Sequence, residues 1–144
     1  MPKPKTTKLS VFKGREAKLN HAIFQTLAHK SPQTIYDIHK QIKTYRGYRR
    51  TKYANVNKRV KALEDSGYVI KVGTRKTKAG FLVSLYELTF RAYLAILLDS
   101  INFETLLTHL DDATAASLLA SIINVAFPDI SPSNQLRCGS NTRT

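Results

Sequence analysis

The chain has a single cysteine, Cys138, among its 144 residues, so no disulfide can form within it and nothing points to an oxidising compartment. Long apolar runs are absent as well. The densest one, residues 92–98, ends at Asp99 and is far shorter than the roughly 18 residues needed to cross a bilayer. Residues 1–5 have no apolar stretch after their charges, unlike a secretory signal. These absences favour a soluble cytoplasmic protein that does not use a membrane.

Sequence patterns typical of catalysis are missing too. The four histidines have no cysteine or carboxylate neighbours at the spacing of metal ligands. There is no nucleophile elbow, no glycine-rich phosphate loop and no paired-carboxylate motif. We therefore expect no enzymatic activity, no metal and no cofactor. Whether a small-molecule effector binds is left open.

Acidic residues are scarce in the first two thirds of the chain. Residues 1–91 carry 21 Lys and Arg against 5 Asp and Glu, net +16, whereas residues 92–144 carry 2 against 5, net −3. The total of +13 is large for a small protein, because like charges oppose compaction. Such an excess favours a polyanionic partner, and nucleic acid, an anionic membrane surface and an acidic protein are the alternatives.

Apolar spacing predicts two helices in the first part of the basic region. A stripe of Leu, Ile, Ala and Phe side chains predicts a helix over residues 15–29. Thr34 stands three residues before Asp37, which is the pattern of a capping box and predicts a second helix over residues 35–43.

A third helix is predicted over residues 51–66. Thr51 is a candidate N-cap, and Gly67 follows where a left-handed residue commonly ends a helix. Apolar residues recur at intervals of three and four and are expected to face the core: Tyr53, Val56, Val60 and Leu63.

Beyond this helix the pattern changes to that of a β-hairpin. Residues 68–72 and 81–88 predict two strands, and residues 73–80 between them predict a basic loop bounded by glycines. Thr89 then predicts the start of a fourth helix, and Asn102 and Asp112 predict the N-caps of two more.

The order helix, helix, turn, helix, strand, basic loop, strand is that of a winged helix-turn-helix domain. Residues 34–38, 86–89 and above all residues 56–69, VNKRVKALEDSGYV, carry the likeness. The sequence resembles the winged helix-turn-helix transcriptional regulators of bacteria and archaea, in the broad group that includes the PadR-like and MarR-like families. The resemblance implies a mainly α fold with a small β-hairpin, followed by C-terminal helices that pair in a dimer.

The third helix has an arc opposite its apolar face that suits insertion in a major groove, since Asn and Lys can bond to base edges. The candidate base-reading residues are Thr51, Asn55, Lys58 and Lys61. Cations ahead of this arc and on its flank are candidates for contacting the DNA backbone: Arg46, Arg49, Arg50, Lys52 and Arg59. The wing candidates are Arg75, Lys76 and Lys78.

The sequence thus predicts four parts. They are a flexible basic arm over residues 1–14, a winged helix-turn-helix domain over 15–98, C-terminal helices over 99–128 that form a homodimer, and a disordered tail over 129–144. The expected function is sequence-specific binding of double-stranded DNA by a nucleoid-associated transcriptional regulator. The alternatives are a non-specific architectural DNA-binding protein, an RNA-binding or ribosome-associated protein, and a protein-interaction module whose charge is incidental.

Overall fold

A computed structural model describes residues 9–129, and the expectations for residues 1–8 and 130–144 fall outside that range. Within it the protein is mainly helical, with one two-stranded antiparallel hairpin. A short 3-10 helix, Ser10–Phe12, comes first. The remaining elements, in chain order, are α1 (Ala17–His29), α2 (Ile35–Ile42), α3 (Tyr53–Asp65), β1 (Val69–Lys76), β2 (Leu82–Leu88), α4 (Phe90–Ser100), α5 (Phe103–His109) and α6 (Asp112–Ala126).

The chain divides into two compact units after Ser100. The sequence predicts this boundary at residue 98. The observed boundary lies two residues later because α4 continues to Ser100. In the first unit, apolar side chains from the helices and the hairpin meet in one core that includes Ile23, Leu27, Ile38 and Val60. This core holds α1, α2, α3 and the hairpin in a fixed arrangement.

Three residues of the predicted flexible arm, Leu9, Val11 and Phe12, belong to this core. Val11 and Phe12 are buried, and the Phe12 ring packs edge-on against Phe24 with centroids 5.6 Å apart. Asn20, also buried, donates a hydrogen bond to the Val11 carbonyl at 2.8 Å. The predicted boundary at residue 14 is therefore wrong, because the apolar pair of residues 11 and 12 finds a place beside α1.

The capping box predicted for α2 is confirmed. The Asp37 amide donates to the Thr34 hydroxyl at 3.1 Å, and the Asp37 carboxylate accepts from the Thr34 amide at 3.4 Å. Just before it, Gln33 pairs with Tyr86 of β2 through two backbone hydrogen bonds of 3.0 and 2.8 Å. These bonds fix the start of α2 against the hairpin.

Helix α3 ends as expected but begins two residues later than expected. Its N-cap is Lys52, whose side chain makes no capping bond, so the prediction of Thr51 as N-cap is wrong. At the other end the Tyr68 amide bonds to the Leu63 carbonyl and the Gly67 amide to the Glu64 carbonyl. This is a Schellman motif, and its left-handed position is filled by Gly67 at φ +81°.

The hairpin is longer than the sequence predicts. Its strands pair from Val69 with Leu88 to Lys76 with Leu82, with one irregularity between Lys71 and Gly73. Arg75 and Lys76 therefore lie in β1 and not in a loop, which leaves Lys78 in the turn. Their charges do not prevent pairing because both strands are exposed near the tip.

The second unit, described over residues 101–129, contains α5 and α6. Asn102 caps α5 as predicted by accepting from the Glu104 amide at 3.0 Å. The cap of α6 is Asp111, one residue before the predicted Asp112, and it accepts from the Thr114 amide at 3.4 Å. No residue between 101 and 129 is buried, although many are large and apolar.

Candidate nucleic-acid interface

The two faces of α3 differ as a helix inserted in a groove requires. Val56, Val60 and Leu63 are buried in the core, which confirms three of the four positions predicted for that face. Three of the candidate base-reading residues lie on the opposite arc with exposed side chains: Asn55, Lys58 and Lys61.

Thr51 and Tyr53 do not have the positions expected of them. Thr51 lies ahead of the helix and is half-buried, and its carbonyl accepts a hydrogen bond from His39 Nε2 at 2.8 Å. Tyr53 was expected in the core, but its side chain is 46% exposed. It packs edge-on against the His39 ring with centroids 5.7 Å apart, so α2 supports it from one side only.

The segment between α2 and α3 holds a row of cations in solvent. Tyr45 hydrogen-bonds to the Thr26 hydroxyl at 3.0 Å, and the Tyr48 hydroxyl donates to the Lys18 carbonyl at 2.8 Å. Both tyrosine hydroxyls are thus bound to α1. Over the described part of the chain, four neighbouring cations are exposed and form no salt bridge: Arg46, Arg49, Arg50 and Lys52.

Arg59 is held differently from the other candidate cations. Its Nε donates to Asn20 Oδ1 at 3.2 Å and lies 3.8 Å from a carboxylate oxygen of Glu16. Only about a quarter of its side chain is exposed. Arg59 therefore joins α3 to α1 and, unlike the neighbouring exposed cations, is already paired.

The hairpin is connected to α2 through an ion pair. The Arg75 guanidinium donates to the Asp37 carboxylate at 3.1 Å, so the residue that completes the capping box also restrains β1. Lys76 and Lys78 are exposed, and the described residues offer them no carboxylate. The turn itself is closed by a 2.7 Å hydrogen bond from the Thr77 amide to the Phe81 carbonyl.

Among the four base-reading candidates, Lys61 is the one whose side chain has a hydrogen-bond partner in the described part of the chain. Its ammonium donates to the Tyr86 hydroxyl at 3.0 Å and lies 5.6 Å from the centre of that ring. The hydrogen bond to Tyr86 raises the pKa of Lys61 above its ordinary value of 10.5, and the nearby Glu64 and Asp65 carboxylates add to this. Lys61 is thus fully charged at neutral pH and directed toward the hairpin.

Tyr36 and Tyr86 border this part of the surface, and the sequence predicts no role for either of them. Tyr86 is 1% exposed yet presents its hydroxyl to Lys61, while Tyr36 on α2 is 63% exposed. The exposure of Tyr36 could have been predicted, because it lies two residues after the Thr34 cap and opposite the apolar face of α2. No local signal marks Tyr86, because its partners are distant in sequence.

In residues 9–129, no helix is long and apolar enough to cross a membrane, and no group of three His, Cys, Asp or Glu side chains is placed to hold a metal ion. The protein matches no family model and no curated protein.

Proposed function

We propose that this protein binds double-stranded DNA in a sequence-specific manner, with α3 in the major groove and the hairpin β1–β2 against the backbone. In this proposal α1, α2 and α3 form a helix-turn-helix domain and the hairpin is its wing. Thirteen residues give α3 a length of about 20 Å, which is enough to lie across a groove about 12 Å wide.

The observation that carries the proposal is a set of exposed, unpaired cations on both sides of α3. Between residues 40 and 78 the chain has 13 Lys and Arg, and its only acids there are Glu64 and Asp65 at the far end of α3. The exposed row from Arg46 to Lys52 precedes the helix, and Lys76 and Lys78 follow it. Phosphates relieve the mutual repulsion of such cations, and binding releases the counterions condensed on the DNA.

Asn55 and Lys58 are the residues of α3 best placed to read bases. Both side chains are exposed, and neither has a hydrogen-bond partner among the described residues. Asn can make a bidentate pair with N6 and N7 on the major-groove edge of adenine, while Lys reaches the guanine acceptors. Each base contact of this kind contributes roughly 1–3 kcal/mol of discrimination.

We further propose that the protein acts as a dimeric transcriptional regulator, with the second copy covering α5 and α6. Residues 113–128 contain no charged side chain, and Leu119, Ile122 and Val125 are exposed along α6. A second copy offers the same apolar, uncharged surface. A two-fold dimer would bind a palindromic site.

Selection of bound duplexes from a random library tests the proposal. A regulator should prefer its selected site to random DNA by about 10³-fold or more. Equal binding of all duplexes with a steep salt dependence would instead show an architectural protein. Structured RNA that displaces the duplex would overturn DNA binding altogether.

Substitutions separate base reading from backbone binding. Replacing Asn55 and Lys58 with Ala should relax the preference at individual base pairs. The matched pair Lys76→Ala and Lys78→Ala should weaken all duplexes equally. If both pairs changed the preference alike, α3 would not be the reading element.

A further inference from the structure

A small cavity opens where α3, the first turn of α2 and the strand β2 meet. Its volume is about 170 Å³. The exposed Tyr36 and Tyr53 line it together with Lys61 and Tyr86. No acidic side chain lines it.

Lys61 and Tyr86 both line this cavity, and their mutual hydrogen bond leaves other donors of the pair unused. An ammonium group has three N–H donors, and Lys61 uses one of them on the Tyr86 hydroxyl. A phenol that accepts such a bond keeps its own O–H free to donate. The pair therefore offers two N–H groups and one O–H group, carried by a side chain that is positively charged.

Two further polar groups line the same cavity without being used elsewhere. The amide of Asn57 and the hydroxyl of Ser84 make no hydrogen bond within residues 9–129. Asn57 extends from α3 one turn before Lys61, and Ser84 extends from β2 two residues before Tyr86. The donors thus converge from two elements that the core holds rigidly.

We propose that this cavity binds one phosphate of the DNA backbone, with Lys61 as the charged ligand and Tyr86 as its positioning residue. This rests on the proposed function and changes one part of it, because Lys61 moves from reading bases to fixing the depth and register of α3. A phosphate suits the site because it presents acceptors alone, whereas base edges mix donors with acceptors. The Lys61 ammonium and the Tyr86 hydroxyl together offer more donors than acceptors and carry a positive charge, which favours an anion.

The test uses the full-length protein and its selected duplex, with single phosphates replaced one at a time by neutral methylphosphonates. One position in each half-site should cost the wild-type protein about tenfold in affinity, since a charged hydrogen bond is lost there. With Lys61→Met the same replacement should cost less than about twofold. The Lys61→Met variant should also lower the slope of log K against log salt by about 0.9 per site.

Tyr86→Phe and Lys58→Met complete the experiment. Tyr86→Phe keeps the buried ring, and it should reduce the cost of that one methylphosphonate while adding nothing in the Lys61→Met background. Lys61→Arg should restore the salt slope. Lys58→Met lies one turn earlier on α3 and should alter base preference while leaving the cost of that methylphosphonate unchanged.

Three results would overturn the inference. An unchanged salt slope in Lys61→Met would do so, and so would a change in its preference at a single base pair, which would make Lys61 a base reader. In both cases the proposed function would stand. If the wild-type protein bound no duplex, the proposed function and the phosphate site would fail together.

Discussion

The two units of this protein distribute their apolar side chains in opposite ways. From residue 9 to residue 100, each helix and strand contributes side chains to one buried core. From residue 101 to residue 129, large apolar side chains are present but none is buried. Helices of 7 and 15 residues are marginal in water without packing. The first unit is therefore stabilised by its own interior, whereas the described part of the second unit buries none of its apolar side chains.

Charge divides along the same line. The net charge is +16 over residues 1–91 and −3 over residues 92–144, and residues 113–128 carry no charged side chain. In the proposed function, the cationic surface would bind DNA and the uncharged surface would form the dimer. Four predictions test this division.

The largest effect is expected from truncating a core residue. Phe24 is fully buried, and Phe24→Ala should lower the free energy of unfolding by about 3–5 kcal/mol. Leu119→Ala, on an exposed position of α6, should change it by less than about 0.5 kcal/mol at high dilution. Urea titrations of both variants provide the measurement. A large loss in Leu119→Ala at every protein concentration would show that α6 has a partner within its own chain.

Removal of residues 101–144 is the next largest change. The first unit should still unfold cooperatively because its core is complete without them. Affinity for a palindromic site should fall by roughly 10²- to 10⁴-fold as the dimer is lost. Sedimentation and fluorescence anisotropy measure the two quantities. A truncated protein that stayed dimeric would show that the dimer forms through the first unit, for example through exposed residues of α4 such as Phe90, which is 93% exposed.

Loss of unpaired cations should have a smaller, graded effect. The double variant Arg49→Gln and Arg50→Gln should lower the salt slope of DNA binding by about 1.8, since each phosphate contact contributes about 0.9. Arg59→Gln is the matched control, and it should change the slope less because Glu16 already partly neutralises that guanidinium. Equal changes would mean that the ion pair opens on binding.

The smallest effect concerns pH and the second unit. Hydrogen bonds from Thr114 hold the pKa of Asp111 below its ordinary value of 3.8. A lowered pKa means that the cap stabilises α6 above pH 3.8 and that this contribution is lost as the pH falls through the lower, folded value. NMR signals of the first turn of α6 should report this loss. In Asp111→Asn the amide still caps and does not titrate, so a transition that persisted there would assign the effect to another group.

The features that the sequence predicts correctly are those that local chemistry decides. The Thr34–Asp37 capping box and the left-handed Gly67 each depend on residues within a single turn. The period of three and four residues likewise identifies the buried face of α3.

The errors come from contacts between residues distant in sequence. His39 binds the carbonyl of Thr51 and holds it outside α3, and nothing in the segment 50–53 reveals that bond. Arg75 meets Asp37 across 38 residues, so a pattern of cations could not show that it is already paired. The cavity beside Lys61 depends on Tyr86, which comes close only when the hairpin folds back.

If the hairpin is the wing of a DNA-binding domain, as we propose, the ion pair between Arg75 and Asp37 affects how fast a duplex is recognised. Without this second attachment, the outer part of a two-stranded hairpin would sample many orientations, and most of them would miss the duplex. A tether at β1 restricts that search before any encounter, so less conformational entropy remains to be lost on binding. The exposed pair adds little to the stability of the fold, about 0–1 kcal/mol. Its larger effect should be on the rate at which a collision becomes a complex.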